Sequence, residues 1–303
     1  MHTPSFSYAE AGRPFFCVII ITARRAGVIF LAGICLFILY SEYRNMHYAS
    51  VHISRAAVGT LAFAVMLVAA GGKASGSELT GADFRGKKLT GRDFSGKNLS
   101  GADFRGANCR AASFAGALML GARLEGADLS AADLSGADLS AARLDSANLG
   151  LAVCKETDFT KASLRKASLV SANLQQALLR ETDLSFANMW KTDLRGANLV
   201  GATLLKAFLG QARIIEAHLW EAVMDSALFI SANCYKADFK GASVGGAVFT
   251  NANLRRANLL SLRGASIDQF CVAQTLFEAT VSEQIKKRFK EGCGGKLKKN
   301  SAY

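Results

Sequence analysis

The sequence predicts an all-β solenoid, a four-sided β-helix of stacked coils that ends in a short C-terminal α-helical cap. Three observations carry this reading. Large apolar residues recur every five positions in one unbroken register, and a small residue, nearly always Ala, stands two places before each of them. No proline follows Pro14, so from Phe15 onward every residue keeps a backbone N–H for a continuous ladder of main-chain hydrogen bonds.

The register begins at Leu79 and steps through Phe84, Leu89, Phe94, Leu99, Phe104, Cys109, Phe114, Met119 and Leu124. It runs without a slip to Leu254 and Leu259, about thirty-seven pentads in all. The residue two earlier is Ala except for Ser77, Lys87, Arg92 and Lys97 at the start and Thr157, Thr182 and Thr192 later, and Asp or Asn often lies between the pair. A helix would spread a period of five around its cylinder. A flat strand would send successive Leu residues to opposite faces. Both conflicts vanish if the chain turns a corner every five residues. The small and large residues then point inward on one short side, Asp or Asn points out, and Gly or Ser after the Leu supplies the corner. Four sides close a coil of about 20 residues, stacked at about 4.8 Å.

The pattern resembles the pentapeptide-repeat family, whose motif is A(D/N)LXX, over Leu79–Leu259. The resemblance implies a right-handed quadrilateral β-helix of about nine coils, roughly 45 Å long at that spacing. Lys87, Arg92 and Lys97 depart from the motif. Their side chains must bend outward, or the first coil is irregular.

After Leu259 the register fails at Gly264 and resumes, shifted, at Ala265-Ser266-Ile267. A bare last coil would be an open β edge, so a cap is expected. Thr280-Val281-Ser282-Glu283 reads as a capping box opening a helix, with Val281, Ile285 and Phe289 on one face. Residues 77–267 are therefore the solenoid, and 268–303 the helical cap and a basic tail carrying Lys296, Lys298 and Lys299.

Two apolar stretches precede the repeats, Phe15–Tyr40, interrupted by Arg24 and Arg25, and Ala56–Ala70. Neither reaches the roughly 20 apolar residues of a bilayer-spanning helix. The second suits the h-region of a signal peptide, with Val68-Ala69-Ala70 as its cleavage context and Met46 placed to start it. Residues 1–45 then read as a start assigned too early or a membrane segment, and 46–76 as a signal peptide or a retained anchor. Either places the protein in the periplasm, outside the cell or on a membrane of the bacterial envelope.

Composition narrows the function. The formal charge is +12, spread at roughly +4 over each of residues 1–76, 77–262 and 263–303. The repeats reach it by nearly balancing acids with bases, which is neither a nucleic-acid track nor the acidic rod of family members that mimic DNA and protect topoisomerases. No nucleic-acid partner is expected, and the mimic stands only as the alternative. No motif for metal, phosphate or nucleophilic chemistry occurs, so no cofactor and no catalytic residue is expected. His218 is outward with no acid or nucleophile forced beside it. Cys109, Cys154 and Cys234 occupy inward positions as core hydrophobes. Cys271 and Cys293 flank the cap helix and are a disulfide candidate if the protein is exported, or two free thiols if it is not.

Stacking residues 20 apart assigns outward positions to sides. One side is polar early, with Lys88, Asn108, Arg110, Asp128, Ser130 and Asn148. It turns apolar later, with Trp190, Phe208, Leu228, Ile230 and Val248. That patch predicts a contact for a protein partner or a second copy, and a non-enzymatic binding or scaffold role. Another side stacks Arg85, Arg105, Glu125, Asp145 and Arg165 as a ladder of surface charges.

Overall fold

The computed structural model describes residues 22–23, 26–27 and 79–293. The chain falls into two units, Met1–Lys73 and Ala74–Tyr303. In the first unit two short strands, β1 (Thr22–Ala23) and β2 (Ala26–Gly27), pair antiparallel within the first apolar stretch. The signal or anchor segment at 46–76 and the basic tail residues Lys296, Lys298 and Lys299 lie outside the described residues. No helix among the described residues is long and apolar enough to cross a membrane.

The second unit is a four-sided β-helix. Parallel bridges join residues 20 apart from Asp83↔Asp103 to Ser243↔Arg263. Their columns define four sides, which contain Asp83, Lys88, Asp93 and Asn98 as their first members and are called the first to fourth sides below. The inward apolar residues are buried from Phe84 onward and the inward Ala residues from Ala102, while Leu79 and Ala82 in the first described coil are half-buried. Aromatic stacks fill both ends of the axis: Phe84 on Phe104 at 4.7 Å and Phe94 on Phe114 at 5.2 Å, then Phe229 on Phe249 at 4.9 Å.

One pentad shows how the backbone is satisfied. Leu134 N–H donates to the Val153 carbonyl of the next coil, Gly136 N–H to that of Lys155, and Asp138 N–H to Ala117 in the coil before. Ala137 N–H closes the corner on the Leu134 carbonyl at 3.0 Å. The fifth donor, Ser135 N–H, is taken by the Asp133 carboxylate at 2.9 Å. The Asp or Asn of the motif is thus an Asx cap on the N–H two residues on, repeated from Arg85 on Asp83 to Leu260 on Asn258.

The corner is a β-turn whose third residue has positive φ, as in type II turns. Every fifth residue from Gly81 to Ser261 is left-handed, with φ near +60°. The expectation that glycine or serine makes the corner holds in part: glycine predominates early and recurs at Gly196, Gly201, Gly241 and Gly246, but Ala111, Ala131 and Ala141 already stand at early corners. Later corners carry Leu151, Lys161, Glu181, Phe186 and Gln211 in the same conformation, each at a cost of about 1 kcal/mol that the surrounding ladder offsets.

Thr157, Thr182 and Thr192 fit at Ala positions because each buried hydroxyl donates at 2.7 Å to a carbonyl of the preceding coil, those of Leu134, Phe159 and Leu169. At Thr157 and Thr182 the turn bonds lengthen to 3.5 and 3.4 Å. The first coil is regular, and Lys87 and Arg92 are exposed beside it.

The C-terminal end corrects the boundary at Ile267 and the capping box at Thr280. Two extra residues shift the spacing from 20 to 22, and pairing resumes at Asn253↔Thr275 and Asn258↔Thr280. Thr280 is therefore the last rung of the ladder, with Leu276 buried beneath it, and cannot open a helix. Between these segments a single helical turn, α1 (Asp268–Cys271), puts Phe270 on Phe249 at 5.1 Å. A second helix, α2 (Glu283–Cys293), follows, with the Ser282 hydroxyl accepting from Ile285 N–H and Phe289 packed on Phe270. The helix continues through Gly292 to Cys293. A cavity of about 90 Å³ lined by Leu259, Leu262, Ile267, Val281 and Ile285 remains under it.

Two substitutions test the corner. Ala131→Gly, at φ +55°, should raise stability by about 0.5–1 kcal/mol because it relieves left-handed strain at an exposed site. Asp133→Ala should lower it by about 1 kcal/mol by removing the Asx cap, while Asp133→Asn stays within a few tenths. Urea midpoints at constant slope measure all three.

Candidate protein-contact face

The second side carries the predicted face. Its bridge column runs Asn188, Phe208, Leu228, Val248, and the column two residues on runs Trp190, Gly210, Ile230, Thr250. Trp190, Phe208, Leu228, Ile230 and Val248 are all half-buried, because they cover one another. The Trp190 indole stacks on Phe208 at 5.3 Å, 18° from parallel, with Lys191 Nζ 5.9 Å from its ring. It lies flat over Gly210, where an added Cβ would come within 2.5 Å of the ring. Gly210 is thus the floor of the aromatic pair.

Phe208, Leu228 and Val248 stand where the motif has Asp or Asn. They offer no acceptor to the N–H groups of Gly210, Ile230 and Thr250. Three consecutive coils forgo an Asx cap on this one side, a local loss of about 1 kcal/mol each. The first side shares the pattern with Thr203 and Val223, and half-buried Leu205 and exposed Phe186 extend the apolar surface around the shared corner. Phe186, Leu205 and Val223 were missed in the sequence, since the signal there was a run of absent Asp and Asn rather than large residues in one column.

Other exposed apolar residues are dispersed. Leu118 and Leu120 (50% and 51% exposed), Leu178 and Trp220 (46%) all belong to the fourth side but are separated by coils of polar surface. His218 is exposed and meets the Trp220 ring edge-on at 6.1 Å.

Charge concentrates on the first side of the early coils. The predicted ladder is paired with the adjacent column: Arg85–Asp83 at 2.7 Å, Arg105–Asp103 at 2.6 Å, Arg143–Glu125 at 2.9 Å and Arg165–Asp183 at 2.7 Å. Hydrogen bonds from Arg105 hold Asp103 below the ordinary carboxylate range. At Asp183 and Asp193 burial pushes the pKa up, but hydrogen bonds from Ser185 and Arg165, and from Arg195 and Gln175, outweigh it and leave both lowered. The other predicted residues fall as follows. Cys109, Cys154 and Cys234 are buried thiols, and burial pushes Cys109 up to about 12 and the other two further. Cys271 and Cys293 meet, with Cα atoms 5.0 Å apart and their sulfurs in contact, tying α1 to the end of α2. Among the described residues no group of three His, Cys, Asp or Glu side chains is gathered as for a metal ion.

A four-sided repeat solenoid with an outward face built by substitution is the class these features define. The family model for pentapeptide repeats matches in 8 copies over residues 88–119, 107–145, 137–176, 177–214, 209–244 and 232–263. The chain belongs to the pentapeptide-repeat family, and its solenoid is that family's right-handed quadrilateral β-helix. Among solved structures it is similar to HetL, a pentapeptide-repeat protein involved in heterocyst differentiation regulation from the cyanobacterium Nostoc. That match has 30% identity over 71% of this chain and 92% of HetL, with a TM-score of 0.33. A pentapeptide-repeat protein of the Arabidopsis thaliana thylakoid lumen matches at 30% identity over 57% of this chain and 71% of its own, with a TM-score of 0.21. QnrB1, a plasmid-mediated fluoroquinolone resistance protein, matches at 16% identity over 69% and 95%, with a TM-score of 0.42. Among curated proteins none matches the chain.

Gly210→Ala tests the aromatic floor. The new methyl should displace the indole, lower stability by about 1–3 kcal/mol and, in a Trp220→Phe background, red-shift the Trp190 emission. An unchanged spectrum would show that Trp190 is not held against Gly210.

Proposed function

We propose that this protein is a non-enzymatic scaffold of about nine coils, closed by its C-terminal helical segment, that binds another protein surface through the second side of its later coils. The observation that supports it is the loss of three Asx caps in consecutive coils in favour of Phe208, Leu228 and Val248. A solvated face gains nothing from that exchange, whereas a contact face recovers it by burying apolar area at about 25 cal/mol per Å². The simplest occupant is a second copy, since two identical flat sides can pair about a two-fold axis.

Export or membrane association is part of the proposal, supported by the apolar run Ala56–Ala70 after Arg55. In an oxidising compartment Cys271 and Cys293 would be a disulfide. Non-reducing peptide mapping of protein from the envelope fraction should recover the two as one linked peptide, and alkylation of both thiols there would remove the oxidising compartment from the proposal. The DNA-mimic alternative gains no support, because acids on the solenoid sides are matched by Arg and Lys in the same or adjacent columns.

The binding face is tested by mass. Full-length protein at micromolar concentration should scatter light as a dimer, and Trp190→Lys with Ile230→Lys should scatter as a monomer with an unchanged circular dichroism spectrum. A wild-type monomer would exclude the second copy. A dimer that survives both substitutions would exclude this face.

A further inference from the structure

The first described coil differs from every later one at its small-residue positions. Where the stack above carries Ala107, Ala112 and Ala117, the first coil carries Lys87, Arg92 and Lys97 on three successive sides, with Lys88 beside Lys87. Lys87, Lys88 and Arg92 are exposed and Lys97 is half-buried. Among the described residues none of the four forms a salt bridge, although Arg85, Arg105, Arg143 and Arg165 on the first side all do. Among the described residues Asp83, Lys88 and Asp93 pair with the coil that follows them and with no earlier one. Among the described residues the coil is therefore the first of the stack, and its seven charged side chains, Asp83, Arg85, Lys87, Lys88, Arg92, Asp93 and Lys97, leave it with an excess of positive charge.

Charges at an exposed β edge discourage edge-to-edge association. That role is served by either sign, yet all four of these residues are cations. They also follow the apolar run Ala56–Ala70 in the sequence. A coil with more cations than acids complements an anionic surface, and a bilayer of anionic lipid attracts each nearby Lys or Arg over about a Debye length. We infer that the rim formed by Lys87, Lys88, Arg92 and Lys97 docks the N-terminal end of the solenoid on an anionic membrane surface. The sides then stand clear of the bilayer, leaving the second side open to a partner. The inference rests on the membrane-associated form of the proposed function and adds to it the lipid class and the residues.

The experiment is flotation of the full chain with phosphatidylcholine vesicles, with or without phosphatidylglycerol, at low and high salt. Binding should rise with phosphatidylglycerol, and that increment should disappear at high salt. Lys87→Glu, Arg92→Glu and Lys97→Glu together keep the edge charged but reverse its sign. They should lower the increment on the order of 100-fold while leaving attachment to pure phosphatidylcholine unchanged. Replacing the same three with Ala, the repeat's own residue, should also abolish the increment in a protein at least as stable as the wild type, which separates lost docking from lost folding. Lys287→Ala with Arg288→Ala, at the other end of the stack, should keep it, as should Trp190→Lys with Ile230→Lys, so that failure here and failure of the protein-binding face are read separately. A wild type indifferent to phosphatidylglycerol, or an increment that survives the Glu variant, would overturn the inference.

Discussion

The structure depends on the main-chain ladder between coils, and the ladder in turn depends on the corner. Parallel bridges 20 residues apart require the chain to turn four times per coil without leaving a backbone donor stranded. A left-handed residue closes each turn, its N–H goes up the stack, and the next N–H seals the corner on the apolar residue's carbonyl. The donor that remains, on the residue just after the apolar one, is served by the Asp or Asn before it. Motif positions that look unrelated in sequence are therefore parts of one hydrogen-bond circuit. Where that circuit is complete, individual corners tolerate Lys, Glu or Phe in a conformation that normally favours glycine.

Departures from the circuit then acquire meaning. Two of them keep the donor satisfied by another route: Asp145 and Asp225, each one coil earlier, accept from Arg165 and Gly245 where Ser163 and Ser243 replace the Asx residue. On the second side no acceptor replaces the missing ones, and apolar side chains stack instead, with Gly210 left bare to seat an indole. Substitution that removes caps and adds half-exposed apolar surface in the same three coils is what a binding face requires. Ion pairs on the first side are of a different kind. They are largely exposed and individually weak.

A stack of coils has two ends, and each is treated differently. The C-terminal end is filled: Phe270 continues the Phe229–Phe249 stack and Phe289 packs on Phe270, so the aromatic column passes from solenoid into helix without a break. The first described coil is regular and carries Lys87, Arg92 and Lys97 where the next coil carries Ala.

The five-residue register alone, from Leu79 to Leu259, determined that the chain turns four corners per coil and which residues fill the axis, because only a cornered chain keeps Leu and Ala on one inner surface. Counting by twenties also placed Trp190, Phe208, Leu228, Ile230 and Val248 on one side, since a solenoid converts sequence spacing directly into position. Other features had no trace in spacing. Whether an outward Asp is solvated or caps an N–H, whether Thr157 finds an acceptor, and which corner residue turns left-handed depend on atoms contributed by a neighbouring turn or coil. The two-residue insertion that carries pairing on to Thr280, the seating of Trp190 on Gly210, and the meeting of Cys271 with Cys293 were decided only by the tertiary structure. There the register breaks or side chains cross between coils, and contact no longer follows from counting residues.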